Sequence, residues 1–400
     1  MSRWKSNLYT IWLTQIISLM SFNFGIPFMS YYIQDLGVTD AAEVKTFIGL
    51  LTAVAGISAG VMAPIWGRLS DKYGKKMMLL RAIAAGGIVM LGMGFSANVY
   101  QLLFFRFLQG IFTGTITASA ALVASSTPEN RLGFALGFLA TSTQIGSSVG
   151  PALGGMVAEW LGYRNSFVFG GAMLLLDFFL VLLLVQDSNK VLEPQLSLTE
   201  EGDKAEENVE KPFYGAWLAV GMGLILLLRF ATNVFTPYMA IFVQDKLGTM
   251  EGASRVTGLM SGFIGLMTAL SGFILGRLGD RLNRYRLLIF CAVLSFSIAI
   301  PLFWSNSILM LTLVYGLMMF MIGGIEPIVM SVSSSRVVRN QRGRLFGMQA
   351  LVSSFAWATS PLLGSLISIR FSVQAILLAI PMFLLAELLV ILFFGKKLLY

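Results

Sequence analysis

Long apolar stretches recur along this chain, and they constrain its fold more than any other feature of the sequence. Several approach the roughly 20 residues that an α-helix needs to cross the hydrocarbon core of a bilayer. Examples are residues 170–185, 215–228, 287–304 and 375–394. Hydrophobic residues make up 56% of the 400 residues and charged residues only 12%, against roughly 25% charged in an ordinary globular protein. The sequence therefore predicts a polytopic helical membrane protein and excludes a water-soluble one.

The chain lacks histidine and has a single cysteine, Cys291, inside an apolar stretch. A disulfide within the chain is excluded, and neither a zinc nor a haem site is expected, because His and Cys are the usual ligands. No cofactor is predicted. Without imidazole, a group that carries protons near neutral pH has to be a buried carboxylate. The search for functional residues narrows to Asp and Glu within the apolar stretches.

Twelve membrane spans fit the apolar pattern when both termini are placed in the cytoplasm. They cover residues 8–33, 46–66, 77–97, 101–124, 133–158, 166–186, 214–239, 256–276, 287–304, 308–331, 345–369 and 374–394. On this map most of the 28 Lys and Arg fall on the cytoplasmic side, as the positive-inside rule requires. The net charge of +8 is therefore explained by the membrane topology. Membrane lipid is expected as a partner, and nucleic acid is not. The first span has no cleavage site after it and is expected to be retained.

The two halves of the chain repeat each other around an interruption at residues 187–213. That segment is rich in Glu, Lys and Pro and is expected to be a cytoplasmic linker. Residues 26–35 (IPFMSYYIQD) match residues 236–245 (TPYMAIFVQD) at an offset of 210 residues. The same offset keeps further pairs in register, among them Asn23 with Asn233, Pro151 with Pro361, and Asp177 with Glu387. We expect two homologous six-helix bundles, 1–186 and 214–400, with a substrate site at their interface.

The loop after the second predicted span reads GRLSDKYGKK and begins at Gly67. Gly67 and Gly74 permit a tight turn. Asp71 can face the positive N-terminal end of a neighbouring helix, and Lys75 can face a helix C-terminus or a lipid phosphate. The second half repeats the pattern as GRLGD, which ends at Asp280. A basic loop that serves only topology explains the lysines but not the glycines and the acid.

The fourth span contains Arg106, Gln109 and Gly110 in the pattern R-x-x-Q-G. An unpaired arginine in the hydrocarbon costs at least about 3 kcal/mol, so Arg106 needs a partner or an aqueous cavity. Because Arg106, Gln109 and Thr113 recur at helical spacing, they are expected to form a polar stripe that points into the bundle.

The fifth span contains the pattern G-x-x-x-G-P-x-x-G-G, which begins at Gly146 and includes Gly150, Pro151 and Gly154. Small residues let helices approach closely, and Pro151 is expected to kink the span. Together they predict a pliable contact between the two halves. On periodicity alone the same pattern describes a close-packing helix.

These motifs resemble those of the major facilitator superfamily, and the chain as a whole resembles its twelve-span drug:proton antiporter family of bacterial multidrug efflux proteins. The resemblance implies an all-α membrane protein with twelve transmembrane helices in two pseudo-symmetric six-helix bundles, located in the bacterial cytoplasmic membrane. It implies that Asp71 and the nearby cations latch the halves together, that Arg106 takes part in proton coupling, and that the motif at Gly146 marks an antiporter. In one departure, Ser30 stands where the family's first span often has a second proline after Pro27.

Ionisable residues well inside the predicted spans are candidates for function by default. They are Arg106, Asp177, Arg229, Glu326 and Glu387. Glu326 is the leading candidate for the proton carrier because it lies near mid-span in the sequence GGIEP, and Arg229 is a plausible partner. Asp177 and Glu387 occupy matching positions on the sixth and twelfth spans. For these two acids a coupling role, a structural polar contact and a lipid-facing neutral acid all remain open.

The predicted substrate-binding residues are polar, aromatic or methionine side chains near the expected interface: Phe22, Asn23, Gln109, Thr113, Arg229, Asn233, Met319 and Trp357. We expect an aromatic and methionine-rich cavity, because soft side chains suit promiscuous binding. A monomer is expected.

The predicted function is export of small lipophilic or cationic compounds in exchange for protons. Protonation of Glu326 from outside releases the substrate, and deprotonation inside restores the binding site. The sequence has no G-x-x-x-x-G-K-[ST] loop for ATP, and it has no nucleophile motif that would indicate an enzyme. Two alternatives remain: export of a specific metabolite, metallophore or sugar whose anionic group binds Arg106 and Arg229, and lipid flipping by the same fold.

Overall fold

The computed structural model describes residues 3–112, 114–128, 131–186, 215–335, 337 and 342–399. These residues are almost entirely helical. In chain order the helices are α1 (Arg3–Asn23), α2 (Met29–Asp35), α3 (Ala41–Tyr73), α4 (Lys75–Gly94), α5 (Val99–Phe112), α6 (Thr115–Ser126), α7 (Leu132–Leu161), α8 (Tyr163–Leu184), α9 (Ala216–Asn233), α10 (Met239–Leu247), α11 (Ala253–Arg281), α12 (Arg284–Ala299), α13 (Ile308–Ile322), α14 (Ile325–Ser335), α15 (Arg342–Arg370) and α16 (Ile376–Leu399). The predicted linker 187–213 lies outside the described residues.

Eleven helical stretches in the described part of the chain are long and apolar enough to cross a membrane. The twelfth long helix, α7, is richer in Gly, Ser and Thr, and it lies in the chain between two of the eleven. The described helices thus agree with the twelve predicted spans. The protein is an all-α, multi-pass membrane protein.

Four of the stretches are broken in the middle, and the breaks follow the internal repeat. Pro27 stands in the turn between α1 and α2, and Pro237 stands in the matching turn between α9 and α10. Proline cannot donate the backbone hydrogen bond that would continue the helix. Gly114, with φ of 126°, separates α5 from α6. The Gly323-Gly324 pair separates α13 from α14.

Each half packs its helices in the same pattern. In the N-terminal half α1 lies against α7 and α8, and α4 lies against α8. In the C-terminal half α9 lies against α15 and α16, and α12 lies against α16. The halves meet along two seams, α7 with α11 and α3 with α15. The repeat read from the sequence is therefore a repeat of packing.

Glycines set the close approach at the α7–α11 seam. A Cβ on Gly155 would lie 2.6 Å from the carbonyl oxygen of Ser254, and one on Gly258 would lie 2.5 Å from that of Pro151. Towards the end of the molecule where α1 begins, this contact ceases: a Cβ on Gly137 or on Gly272 would meet nothing within 4 Å. The two helices are close at one end of the molecule and separate at the other.

The glycine motif of α7 packs on two different neighbours. A Cβ on Gly146 or Gly150 would collide with α1, and one on Gly154 would collide with the backbone of Phe24 just after α1, all within the same half. The predicted contact between the halves is made by the opposite side of α7, through Gly155, the last glycine of the motif, and through Ser148, whose hydroxyl donates to the Gly262 carbonyl at 2.8 Å. The sequence pattern could not show which face of the helix met which neighbour.

Candidate functional site

A cavity of about 400 Å³ lies between the two halves, within the size range of small-molecule sites. The N-terminal half lines it with Asn23, Ile26, Pro27, Met29, Ile48, Thr52, Arg106, Gln144, Ser147 and Pro151. The C-terminal half lines it with Leu228, Arg229, Thr232, Asn233, Thr236, Pro237, Met239, Thr257, Ser261, Ile264, Gly265, Thr268, Tyr315, Met319, Ile322, Gly323, Glu326, Trp357 and Pro361. The two helix breaks at Pro27 and Pro237 thus both border the cavity.

An ion pair stands on the wall contributed by the C-terminal half. The guanidinium Nη2 of Arg229 on α9 lies 2.6 Å from Oε1 of Glu326 on α14. Their side chains are 38% and 27% exposed, and both line the cavity. Glu326 lies in the first turn of α14, just after the break at Gly323-Gly324. A Cβ on Gly323 would lie 2.7 Å from the Ser271 hydroxyl, so this glycine lets the broken helix sit close against α11.

Arg106 reaches the cavity from the N-terminal half and is 2% exposed. Its Nε donates to the carbonyl oxygen of Leu51 at 3.1 Å, and its Nη1 donates to Oε1 of Gln109. Within the described part of the chain Arg106 has no carboxylate partner. Gln109 therefore holds the arginine and is not itself on the cavity wall. Gly110, the last residue of the motif, lets α5 pack directly against Ser58 of α3.

Asp177 and Glu387 are fully buried and lie away from the cavity wall. Oδ2 of Asp177 accepts a hydrogen bond of 2.6 Å from the Ser18 hydroxyl. Neither carboxylate oxygen of Glu387 has a hydrogen-bond partner among the described residues. The lipid-facing alternative is wrong for both acids, because they point into their bundles. A role for them in proton coupling stays a prediction.

The predicted substrate-binding residues divide into three groups. Asn23, Arg229, Asn233, Met319 and Trp357 line the cavity.

Phe22 and Gln109 do not line it. Phe22 points away from it, because its ring occupies the space above Gly86 on α4, where a Cβ would lie 2.7 Å from the ring. Gln109 supports Arg106, and Thr113 lies outside the described residues.

The expected aromatic lining is wrong. Tyr315 and Trp357 are the aromatic residues among the lining residues. Tyr31 and Tyr238 are fully buried near the cavity and use their hydroxyls to hold the structure together. Most of the polar lining residues are neutral Asn, Gln, Ser and Thr. Hydrophobicity and residue type could not distinguish an aromatic side chain that packs from one that lines the cavity.

Hydrogen bonds between the halves close one end of the cavity, and the sequence analysis missed them. The Tyr31 hydroxyl donates to the carbonyl oxygen of Ala240 at 2.6 Å. The side-chain amides of Gln34 and Gln244 exchange two hydrogen bonds of 2.9 Å each. Lys45 donates to the carbonyl oxygen of Ser368 at 3.2 Å. Gln34 and Gln244 are equivalent residues in the sequence repeat. This equivalence could have predicted their contact, because equivalent residues near a pseudo-twofold axis can meet.

The loop motif after α3 forms only part of the predicted turn. Gly74, with φ of 90°, ends α3, and Lys75 begins α4. Gly67 lies inside α3 and makes no turn. The side chains of Asp71 and Asp280 lie outside the described residues, so the predicted latch stays a prediction.

Two cations near this loop make specific contacts, and that of Lys76 is with a helix C-terminus, as predicted for the cations of the motif. Lys76 donates to the carbonyl oxygen of Leu182 at 3.0 Å, near the end of α8. Arg81 on α4 stacks on the ring of Trp66, with 3.4 Å from its guanidinium carbon to the ring centroid. Trp66 in turn donates to the carbonyl oxygen of Ile111 at 2.6 Å. An arginine inside the predicted third span was the signal that could have identified the stack.

Comparison with known proteins agrees with this architecture. The family model of the Major Facilitator Superfamily matches residues 11–250 and 218–398. The chain belongs to the major facilitator superfamily. Its fold is therefore the twelve-helix transporter fold, and the protein is a membrane transporter rather than an enzyme.

Individual relatives of this superfamily member cover nearly its full length. The multi-drug resistance efflux pump PmrA homolog of Lactococcus lactis is 31% identical over 384 residues, which is 96% of this chain and 93% of the relative. The multidrug resistance protein MdtG of Escherichia coli is 28% identical over 379 residues, or 94% and 91% of the two chains. A bacterial homolog of the human lysosomal transporter Spinster, in an inward-facing, unoccupied conformation, has a TM-score of 0.75 at 16% identity and covers 98% of this chain and 95% of that one.

Proposed function

We propose that this transporter is a drug:proton antiporter that exports small compounds by alternating access between its two bundles. The observation that carries the proposal is the ion pair between Arg229 and Glu326 on the cavity wall. Among the described residues that line the cavity, Glu326 is the one acidic residue. Both cargo and a proton can therefore reach its carboxylate from the cavity. The names of the relatives in Lactococcus lactis and Escherichia coli support small drug-like compounds as cargo.

Protonation of Glu326 removes the charge that holds Arg229. A cargo molecule that donates hydrogen bonds to the carboxylate and a proton that neutralises it compete for the same oxygen atoms. Occupancy by one therefore weakens occupancy by the other, which is the thermodynamic requirement for exchange. Arg106 adds a fixed positive charge from the opposite bundle. Each net charge that crosses 100 mV supplies about 2.3 kcal/mol, which is enough for useful accumulation against a gradient.

We also propose that both termini lie in the cytoplasm of a bacterial cell. The end closed by Gln34 and Gln244 then faces outwards, and the cavity belongs to an inward-open state. In this proposal the bundles 1–186 and 214–400 move as units joined by the linker 187–213, and the transporter works as a monomer with membrane lipid around it.

The proposal is tested by replacing Glu326 with Gln. In proteoliposomes with an imposed pH gradient, E326Q is expected to lose at least about tenfold in gradient-driven export of a fluorescent dye, because the glutamine cannot exchange a proton. Because the neutral glutamine resembles the protonated acid, E326Q is also expected to bind cargo more weakly than the wild-type protein and with no dependence on pH. Proton release on adding cargo to the purified protein should disappear as well. The comparison variant is D177N, which changes the other kind of candidate acid, buried and away from the cavity wall.

Full export by E326Q would remove Glu326 from the cycle. Loss of export in D177N instead would move the role to Asp177. If the wild-type protein exports none of a panel of neutral and cationic dyes, the specific-metabolite alternative replaces multidrug efflux.

A further inference from the structure

Asn23 and Asn233 are equivalent in the repeat, are the last residues of α1 and α9, and both line the cavity. Nδ2 of Asn23 donates to the carbonyl oxygen of Leu19 at 2.8 Å, and Nδ2 of Asn233 donates to that of Arg229 at 2.8 Å. A backbone carbonyl can only accept, so the atom that faces it has to be the amide nitrogen. The orientation of both amides is therefore determined by the backbone.

This orientation leaves the two side-chain Oδ1 atoms as acceptors. Neither has a hydrogen-bond partner among the described residues. Packing holds both residues in position. A Cβ on Gly150 would lie 2.8 Å from the Cβ of Asn23, so that glycine lets the last turn of α1 approach α7. Asn233 is bonded to the backbone of Arg229, whose side chain binds Glu326. Each bundle thus contributes one positioned acceptor.

Other polar residues on the wall also use their donors on the backbone. The hydroxyls of Thr52, Thr232, Thr236 and Thr268 each donate to the carbonyl oxygen four residues earlier. What these side chains offer to a molecule in the cavity is oxygen lone pairs. The neutral polar wall is therefore richer in acceptors than its composition indicates.

We propose that Asn23 and Asn233 form a subsite that recognises N–H or O–H donors of the cargo, such as the amino groups of a dye or the hydroxyls of a polyol. The subsite selects by donor capacity and not by charge, because an amide oxygen accepts from neutral and cationic donors alike. This inference rests on the proposed function, since it names a feature that exported compounds share.

A matched pair of dyes separates donor capacity from charge. Rhodamine 6G and tetramethylrhodamine ethyl ester are both monocationic xanthene ethyl esters, but the first carries two N–H groups and the second has none. Binding to the purified full-length protein is measured by fluorescence anisotropy. The wild-type protein is expected to bind rhodamine 6G more tightly. N23A and N233A are each expected to raise its dissociation constant by about 3- to 10-fold, the loss typical of one hydrogen bond, and to leave the second dye unaffected.

Asn165 supplies the control, because its Nδ2 donates to the carbonyl oxygen of Leu161 at 2.6 Å in the same way but on an exposed face. N165A is expected to leave the dissociation constants of both dyes unchanged. Unchanged binding of tetramethylrhodamine ethyl ester shows that a variant is folded, and the wild-type preference tests the inference without any variant.

Three outcomes overturn the subsite: equal wild-type affinity for the two dyes, equal loss of both dyes in N23A and N233A, or no loss of either. If the wild-type protein exports both dyes equally well, only the subsite is overturned and the proposed function stands. If the wild-type protein binds neither dye, the two proposals fail together for this class of cargo.

Discussion

Arg229 and Arg106 show two ways of holding a guanidinium within a membrane protein. Arg229 is paired with Glu326 at 2.6 Å, whereas Arg106 is surrounded by the neutral acceptors of Leu51 and Gln109. In the proposed cycle the paired arginine loses its partner when Glu326 takes up a proton. The other does not, because its acceptors do not titrate. The two arginines therefore suit different roles, a switch for Arg229 and a constant charge for Arg106.

A double-mutant cycle at the ion pair tests this view at the residue scale. R229Q and E326Q are each expected to lower the thermal stability of the purified protein, because each leaves one charge on the cavity wall without its partner. The double variant should lose less than the sum, with a coupling free energy of about 0.5 to 3 kcal/mol. Thermal unfolding in detergent measures it. Strict additivity would show that the pair contributes nothing to stability.

At the scale of the element, α7 serves two contacts with two faces. Gly146 and Gly150 pack on α1 within one bundle, while Gly155 packs on α11 of the other bundle. The first contact has to persist in every state, because it belongs to the core of a bundle. The second has to open if the bundles rock. One helix therefore combines a permanent interface with a reversible one.

Adding a methyl group at Gly155 is expected to open the α7–α11 seam. In G155A the new Cβ would lie 2.6 Å from the backbone of Ser254, and a backbone atom cannot move aside cheaply. Spin labels at exposed Trp160 and Phe371, one in each half, should show a longer distance distribution by electron–electron double resonance, with Cys291 replaced by Ser.

The matched control for this experiment is G137A, where a Cβ meets nothing within 4 Å. It should leave the distance distribution unchanged. The same distribution in G155A as in the wild-type protein, or the same shift in both variants, would contradict a seam that glycine holds closed.

At the scale of the whole molecule, the closed end depends mainly on neutral hydrogen bonds, beside the one from the Lys45 ammonium. The reciprocal amide bonds of Gln34 and Gln244 and the hydroxyl of Tyr31 join the two bundles. A neutral hydrogen bond contributes only about 0.5 to 1.5 kcal/mol, so a few of them hold the end closed without making opening prohibitive. Such contacts suit this end as the outer gate of the proposed alternating-access cycle, in which it has to open in every turnover.

Joining the bundles covalently at this gate should stop transport. Cysteines in place of Gln34 and Gln244, linked by a short thiol-specific cross-linker with a reducible bond, are expected to reduce dye export in proteoliposomes to background. Reduction of the linker should restore it. The single-cysteine variants treated with the same reagent serve as controls. Continued export by the cross-linked protein would show that this end need not open.

Much of the architecture could be predicted because it depends on local properties of the chain. Span length follows from hydrophobicity, and the matching breaks at Pro27 and Pro237 follow from the missing backbone donor of proline. The candidate pair of Arg229 and Glu326 could be predicted from the sequence, because charged residues within a membrane are rare and need a partner. Phe22 was wrongly assigned because an aromatic ring has no periodic signal that separates packing from lining.

The sequence by itself determined the number of spans, the repeat and the few buried charges, because hydrophobicity and residue identity are properties of each segment alone. Only the tertiary structure decided that Glu326 shares the cavity with Asn23 while Asp177 and Glu387 do not. It also decided that Gly146 and Gly150 of the glycine motif pack on α1 while Gly155 packs on α11. The physical reason is that these facts depend on the rotation and register of one helix against another, which side-chain packing between distant segments sets.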